Sequence, residues 1–375
     1  MREIRLELPG RDQSYRIFIA PGLGLDLGPL LTPYKFPSRL FVVSDRRVAR
    51  LHGEAVLQGL IRAGFTPVLL TTPVGERAKT WGVVQRLARE LLARGAHRGS
   101  GLLALGGGVV GDLAGFLASI FMRGMPFIQA PTTLLAMVDA AIGGKTAINL
   151  PEGKNLLGTF HQPRLVAIDP RFLHTLPRAE WLNGLAEVAK AGFIRDPDLL
   201  YRLEQGRDRL FRDEGETTDI IHRAAAIKAR VVAADEREGG LRRILNFGHT
   251  LGHGLEQASN YRLPHGRAVA WGMVASLRLS QELAGLAPKE ARRGQELIRD
   301  LGLLQPLPRL DSQAVLQALA LDKKRREEGV PFVLLRRLGE PVIREEVPLS
   351  RVSEVLAWVL AMSSRGRAEG HFKKR

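Results

Sequence analysis

The chain of 375 residues contains no cysteine. That absence excludes disulfides and thiolate metal sites, so a protein-bound metal would have to be held by His, Asp or Glu. Long apolar runs are missing as well. A membrane span needs roughly 20 apolar residues in succession, and the longest candidates here are interrupted by Gly, Pro, Asp or Arg. The opening stretch, Met1 to Gly10, alternates charged and apolar residues and has no apolar block of the kind a secretion signal carries. Acidic residues are in deficit: 39 Asp and Glu stand against 55 Lys and Arg, for a formal net charge of +16. Such an excess suits a polyanionic partner. No nucleic-acid-binding module and no interleaving of aromatic with basic residues accompanies it, however. Much of it is scattered or collected in Arg365 to Arg375, which reads as a frayed tail. Nucleic acid and membrane are set aside as partners, and a soluble cytoplasmic protein with a small anionic substrate is expected.

What is present points to two domains, because 375 residues exceed what one core organises. Residues 1 to 35 alternate as a hairpin at a sheet edge. Arg39 to Asp45, Thr66 to Thr71 and Gly101 to Leu105 read as buried strands separated by helices. The expected fold is an α/β N-terminal domain, residues 1–172, with a doubly wound, mostly parallel, Rossmann-like sheet. Pro170 to Pro177 reads as a junction. Beyond it the pattern is helical, with one short β-like segment at Phe332 to Arg336, so residues 173–375 are expected to form a mainly α-helical C-terminal domain.

The richest stretch runs from Leu102 to Pro163. Its apolar strand opens into Gly106-Gly107-Gly108-Val109-Val110-Gly111-Asp112 and then a helical pattern, the arrangement that brings backbone N–H groups to a phosphate. The G-x-G-x-x-G spacing of Gly106, Gly108 and Gly111 is a weak signal alone. It follows the third strand rather than the first, and no acid ends a strand about twenty residues downstream. Asp45, ending an earlier strand, is placed to bond ribose hydroxyls instead, with Glu76 and Lys79 on the next loop.

Downstream, Asn246-Phe247-Gly248-His249-Thr250-Leu251-Gly252-His253 sets two histidines at i and i+4, and His265 follows in Leu263-Pro264-His265-Gly266. Glu187 stands in an otherwise apolar helix, where a lone carboxylate is costly. Two imidazoles and a carboxylate with one open position are what a catalytic zinc site requires. A cationic set, Arg123, Lys145, Lys154, Lys190, Lys228, Arg242 and Lys323–Lys324, completes the inventory. Lys145 and Lys154 sit like anion binders, and Lys190 should project beside Glu187. Lys228, Arg242 and Lys323, read alone, are solvated surface charges.

Taken together, LGGGVVGDLAGF, MRG, APTTLLAMVDAAIGGKTAIN, GKNLLGTFHQP, GLAEVAK, REGGLRRILNFGHTLGH and LPHGRAVAWGM resemble the 3-dehydroquinate synthase family of sugar phosphate cyclases. The resemblance spans about Asp45 to Lys324. It implies a carbon–oxygen lyase of the shikimate pathway, dependent on NAD and zinc, with cobalt also accepted by such a site. The implied reaction turns 3-deoxy-D-arabino-heptulosonate 7-phosphate into 3-dehydroquinate and phosphate. It implies Glu187, His249 and His265 as metal ligands. Asp45, Glu76, Lys79, Gly106, Gly107, Gly108, Val109, Asp112, Thr132, Thr133, Asp139, Lys145 and Lys154 would line the cofactor. Substrate would be held by Lys145, Asn155, Asn246, His253 and a lysine of the 323–324 pair at phosphate, and by Lys228 and Arg242 at carboxylate. Arg123 would arrive from a second subunit of a homodimer. Lys190, Lys154, Asp139 and His253 would do the chemistry. The chain departs from the family pattern at Ala140 and Ala141, where serines are frequent, and at Arg267, where a glutamate is usual. A sibling cyclase making another cyclitol, and a metal-dependent polyol dehydrogenase, are the alternatives.

Overall fold

The computed structural model describes residues 1–8, 14–206, 210, 212–319 and 329–368. The chain divides into two compact units: Met1–Trp181 with Asp213–Glu236, and Leu182–Arg212 with Arg237–Arg375.

In unit one, β1 (Arg2–Leu6) and β2 (Tyr15–Ile19) pair antiparallel at one edge of a sheet. Strands β3 (Arg39–Asp45), β4 (Thr66–Thr72), β5 (Gly101–Gly106) and β6 (Phe127–Pro131) follow. A separate antiparallel hairpin, β7 (Lys145–Leu150) and β8 (Gly153–Phe160), precedes β9 (Leu165–Ile168). The seven-stranded order is β1-β2-β9-β6-β5-β3-β4, parallel at every pairing except β1–β2. Strands β5, β6 and β9 are buried at every residue, the signature of a parallel sheet covered on both faces.

The connections between parallel strands carry helices α1 (Leu27–Leu31), α2 (Arg46–Val48), α3 (Glu54–Arg62), α4 (Trp81–Ala93) and α5 (Gly108–Ile120). Helix α5 is apolar almost all round and lies in the core with Phe41, Leu70, Leu87, Leu102 and Phe127. Its Gly115 lets β7 come close, since a Cβ there would lie 2.4 Å from Thr146 Cγ2. The hairpin β7–β8 was not anticipated. Its strands open on Lys-Thr and Gly-Lys-Asn, polar where a buried strand would be apolar, and β8 is exposed along much of its length.

Unit two starts within α6 (Arg178–Arg195) and continues with α7 (Pro197–Gly206). The next helix, α8 (Glu214–Ala234), returns to unit one. Asp213 caps it by accepting from Gly215 and Glu216 N–H, and Asp219 pairs with Arg2 of β1. A single cut after residue 172 assigns α8 to the helical half, whereas the structure assigns it to the sheet. The rest of unit two is α9 (His249–Ala258), α10 (His265–Leu283), α11 (Pro288–Asp300), α12 (Ser312–Leu319), β10 (Val330–Arg337), β11 (Glu340–Val347) and α13 (Leu349–Ala368). Helix α10 is buried along most of its length, with Trp271 bonded to the Gln305 carbonyl at 2.9 Å.

One expectation is borne out and widened, and another is corrected. The segment Phe332 to Arg336 is one arm of an antiparallel hairpin; in its partner β11, Arg344, Glu345 and Glu346 are exposed and apolar alternation is lacking. Arg365 lies in α13 rather than in a frayed tail, and residues 369–375 fall outside the described residues. Among the described residues, no helix is long and apolar enough to cross a membrane.

Candidate active-site residues

Unit one gathers its polar groups at the carboxyl ends of adjacent strands, where parallel sheets bind ligands. Asp45 closes β3 and uses Oδ1 to cap α2, accepting from Arg47 N–H at 2.8 Å and Val48 N–H at 3.1 Å. Beside it, β5 ends at Gly106 and α5 begins at Gly108 with no side-chain cap, which leaves first-turn N–H groups for a ligand. A Cβ on Gly107 would lie 2.9 Å from Thr133 Cγ2, so this turn is held tightly against the end of β6. Thr132 is buried there and its hydroxyl has no hydrogen-bond partner. An uncapped helix start and an orphaned buried hydroxyl fit a phosphate-bearing cofactor.

The loop after β4 joins this group. Lys79 Nζ donates to Asp112 Oδ2 at 2.6 Å and to Asn155 Oδ1. Burial raises the Asp112 carboxyl even though the Lys79 ammonium opposes it. Asn149 accepts from Asn155 N–H at 2.9 Å and donates to Glu76 Oε1 at 2.8 Å. Hairpin β7–β8 thus ties Asn155, expected at substrate phosphate, to Glu76, Lys79 and Asp112 of the cofactor group. Asn149 was missed, and only recognition of the hairpin could have singled it out. Lys145 opens β7 and Lys154 lies in β8. Asp139, in a π-turn over Ala136–Ala140, pairs with Lys228 of α8.

Unit two holds a compact cluster of Glu187, His249 and His265. Glu187 is buried on α6, and neither of its oxygens makes a hydrogen bond of ordinary geometry. The Nε2 atoms of His249 and His265 lie 3.6 and 3.5 Å from its Oε1. Ligands about 2.1 Å from a tetrahedral zinc stand about 3.4 Å apart, so this spacing suits three atoms sharing one cation. Lys190, one turn along α6, pairs with Glu187. Burial raises the Glu187 carboxyl, but Lys190 and the imidazoles outweigh it and hold it well below the usual carboxylate range. Burial and then Lys190 push His249 well below its ordinary value, favouring the neutral imidazole that a metal requires. Its Nδ1 lies 3.3 Å from the Phe247 carbonyl, which turns Nε2 toward Glu187.

The two histidines come from the first residues of α9 and α10, and glycines make that approach possible. Gly248 has φ +80° and breaks the chain into α9. A Cβ on Gly272 of α10 would lie 1.8 Å from the Gly248 carbonyl oxygen, so the helices meet backbone to backbone. His253 lies one turn beyond His249 on α9. Asn246 donates to Glu238 Oε1 at 3.0 Å, and Glu238, with φ +63°, was also missed. Arg267 Nε donates to the Gln305 carbonyl at 3.3 Å, so the residue that departs from the family pattern is tethered at that carbonyl.

Two cations expected at the surface are not there. Arg242 is 2% exposed, and the Lys228 side chain is 12% exposed in its pair with Asp139. A single sequence shows that a lysine is present but not that a fold encloses it. Lys323 and Lys324 lie outside the described residues.

The family model described as 3-dehydroquinate synthase N-terminal matches residues 69–183, and the C-terminal model matches residues 184–325. The 3-dehydroquinate synthase of Nostoc punctiforme is 44% identical over 358 residues, covering 94% of this chain and 98% of its own. The chain belongs to the 3-dehydroquinate synthase family. Among solved structures of related cyclases, 2-epi-5-epi-valiolone synthase from Streptomyces hygroscopicus, with NAD+ and Zn2+ bound, superposes with a TM-score of 0.84. It is 31% identical, covering 94% of this chain and 98% of its own. A 2-deoxy-scyllo-inosose synthase complexed with carbaglucose-6-phosphate, NAD+ and Co2+ gives a TM-score of 0.83 at 25% identity, over 95% of this chain and 99% of its own.

Proposed function

We propose that this chain catalyses the 3-dehydroquinate synthase reaction, converting 3-deoxy-D-arabino-heptulosonate 7-phosphate to 3-dehydroquinate and phosphate in the cytoplasm. The observation that carries the proposal is the buried Glu187 carboxylate, ion-paired with Lys190 and flanked by two imidazoles, in a chain nearly half identical to relatives of that name. Glu187, His249 and His265 would hold zinc or cobalt. Gly106–Asp112, Thr132, Thr133, Asp45, Glu76 and Lys79 would hold NAD.

When bound, NAD supplies reversible hydride uptake and zinc supplies Lewis acidity toward a hydroxyl. The chain's own groups do the rest. Lys190 is fixed beside Glu187, so its ammonium can donate to a substrate oxygen and relay its proton. The Asp139–Lys228 pair offers a carboxylate to accept a hydroxyl proton and an ammonium for the substrate carboxylate. Arg242, buried within unit two, would serve a substrate carboxylate, because a guanidinium out of water binds an anion more strongly than a solvated one. Asn246, His253, Asn155 and Lys145 would orient the phosphate for elimination. Lys228 and Arg242 argue against a sibling cyclase whose substrate lacks a carboxylate.

The active form would be a homodimer in which Arg123 reaches the partner's substrate. Arg123 ends a turn where it and Met122 adopt φ of +71° and +49°. The Thr159 hydroxyl of β8 bonds to the Ser119 hydroxyl of α5 at 2.8 Å, and Ile120, Leu156 and Phe160 are exposed. A strained arginine turn and exposed large apolar residues on α5 and β8 support that reading.

The deciding experiment is phosphate release from the heptulosonate 7-phosphate, with and without NAD and with a chelator. Release that requires both NAD and metal, with no net NADH, is expected. Absence of release from NAD-loaded protein would sink the proposal in favour of a sibling cyclase. Steady NADH formation from glycerol-like polyols would point to the dehydrogenase.

A further inference from the structure

His265 presents its two ring nitrogens to two different carboxylates. Nε2 lies 3.5 Å from Glu187 Oε1, and Nδ1 lies 3.3 Å from Glu256 Oε2. Glu256 is 7% exposed and sits on α9 seven residues after His249, two turns along the same face. We propose that Glu256 is the positioning residue of the metal centre: it accepts the Nδ1 proton of His265 and so fixes the tautomer and ring angle that turn Nε2 toward Glu187. The inference rests on the metal reading given above and deepens it.

Three observations converge. First, the geometry repeats at the other histidine, where Nδ1 of His249 meets the Phe247 carbonyl and Nε2 faces Glu187. Imidazoles that ligate metals characteristically commit their second nitrogen to a carboxylate or carbonyl in this way. Here one histidine uses a backbone carbonyl and the other a carboxylate, so removing a side chain can disturb only the second.

Second, Glu256 also holds the backbone that delivers His265. Its carbonyl accepts from Ser259 Oγ at 2.7 Å and from Tyr261 N–H at 2.8 Å, and Ser259 Oγ in turn accepts from Leu263 N–H at 3.1 Å. Asn260 and Tyr261 both adopt left-handed φ, +52° and +57°, which persists only where surrounding contacts enforce it. From the other side, Asn183 of α6 accepts from Gly266 N–H, and a Cβ on Gly266 would lie 2.2 Å from the Asn183 carbonyl oxygen. His265 is therefore pinned between Glu187's own helix and Glu256.

Third, the alternative in which Glu256 is itself a ligand is less well served. His253, Glu256 and His265 do lie close enough together to hold an ion. That arrangement would use Nδ1 of His265 and leave the buried Glu187 oxygens still without hydrogen bonds, while recruiting the exposed His253. An ion beside Glu187 satisfies the costlier carboxylate.

The test uses the full chain, stripped by chelator and titrated with zinc against a chromophoric competitor, and with cobalt for its visible spectrum. NAD binding and circular dichroism report folding. Glu256→Ala should weaken zinc roughly 10–100-fold and alter the cobalt bands. Glu256→Gln, whose amide oxygen still accepts the Nδ1 proton, should stay within a few-fold of the parent. Glu256→Asp keeps the charge but withdraws it, and should weaken zinc as Ala does, even if the Ala variant folds poorly. Parental zinc affinity in folded Glu256→Ala or Glu256→Asp would overturn the inference. So would loss of zinc by Glu256→Gln together with its retention by Glu187→Gln. Failure of the parent protein to bind either metal would instead overturn the metal reading itself, and this inference with it.

Discussion

Replacing Gly272 with alanine tests how the metal cluster is built. The new Cβ would stand 1.8 Å from the Gly248 carbonyl oxygen, where 3.0 Å is the practical limit, so α9 and α10 must part by at least 1.2 Å at that point (3.0 − 1.8). The obstructing atom is backbone, so no side chain can rotate away. Alanine improves a helix interior by about 0.5–1 kcal/mol, whereas overpacking costs about 1–3 kcal/mol; the clash should win. At about 2–4 °C per kcal/mol for a body of 150–250 residues, metal-free protein should melt several degrees lower. The effect on zinc should be larger in proportion. Metal sites tolerate about 0.2 Å in ligand distance, and His249 and His265 open the two helices being forced apart. Zinc affinity should fall by at least the roughly 10–100-fold typical of losing an outer-shell partner. The assay pairs scanning calorimetry of apo protein with competitive zinc titration. Gly82→Ala serves as control, because nothing lies within 4 Å of its added Cβ. Unchanged melting and zinc affinity in Gly272→Ala would refute the close-crossing argument.

Lys190→Ala should fold, bind NAD and retain zinc yet lose turnover by several orders of magnitude; parental kcat would remove Lys190 from the chemistry. Chelation should lower the melting temperature, and zinc at 100 times its Kd should restore about 2.7 kcal/mol, with cobalt substituting; a chelator-insensitive melt would contradict the cluster. Phe160→Glu should shift the protein to monomer in sedimentation and abolish turnover, whereas Arg123→Ala should stay dimeric and lose mainly substrate affinity. A monomeric parent with full activity would refute the shared site. His161, stacked on Phe127 and 3.1 Å from the Met125 carbonyl, has its pKa lowered chiefly by burial, with that carbonyl partly opposing. Its native state prefers the neutral ring, so the stability it contributes is complete above about pH 6.5 and is lost as pH falls through the lowered value. The drop in urea midpoint between pH 7 and pH 5 should therefore shrink in His161→Gln, and an unchanged drop would exclude the residue.

Strands β3 to β5, the glycine turn and most helices were legible because their signals are local: apolar runs, period and breakers. Glu187 was legible as a carboxylate out of place in an apolar helix. Less so were features whose meaning depends on remote partners. Hairpin β7–β8 leaves Leu156 and Phe160 exposed and carries Asn149 and Asn155 to Glu76 and Lys79, so alternation failed as a guide. Glu256 carries no distinguishing signal in the sequence, and only the fold sets it against His265. Lys228 and Arg242 resembled surface charges because nothing within a few residues records that the fold covers them.

The return of α8 to the sheet has a consequence for synthesis. The chain leaves unit one after Trp181, comes back at Asp213 and leaves again after Glu236. The first unit therefore cannot close until residues well past its last strand have emerged, several seconds later at roughly 5–20 residues per second. Meanwhile α6, with the Glu187 carboxylate, is already made while its histidine partners are not. The nascent chain must carry that acidic group, and an edge hairpin lacking its covering helix, through an interval in which neither half is complete. Shielding by the translation machinery or a chaperone matters most there, and truncation after residue 172 should yield an aggregation-prone fragment rather than a free-standing cofactor domain.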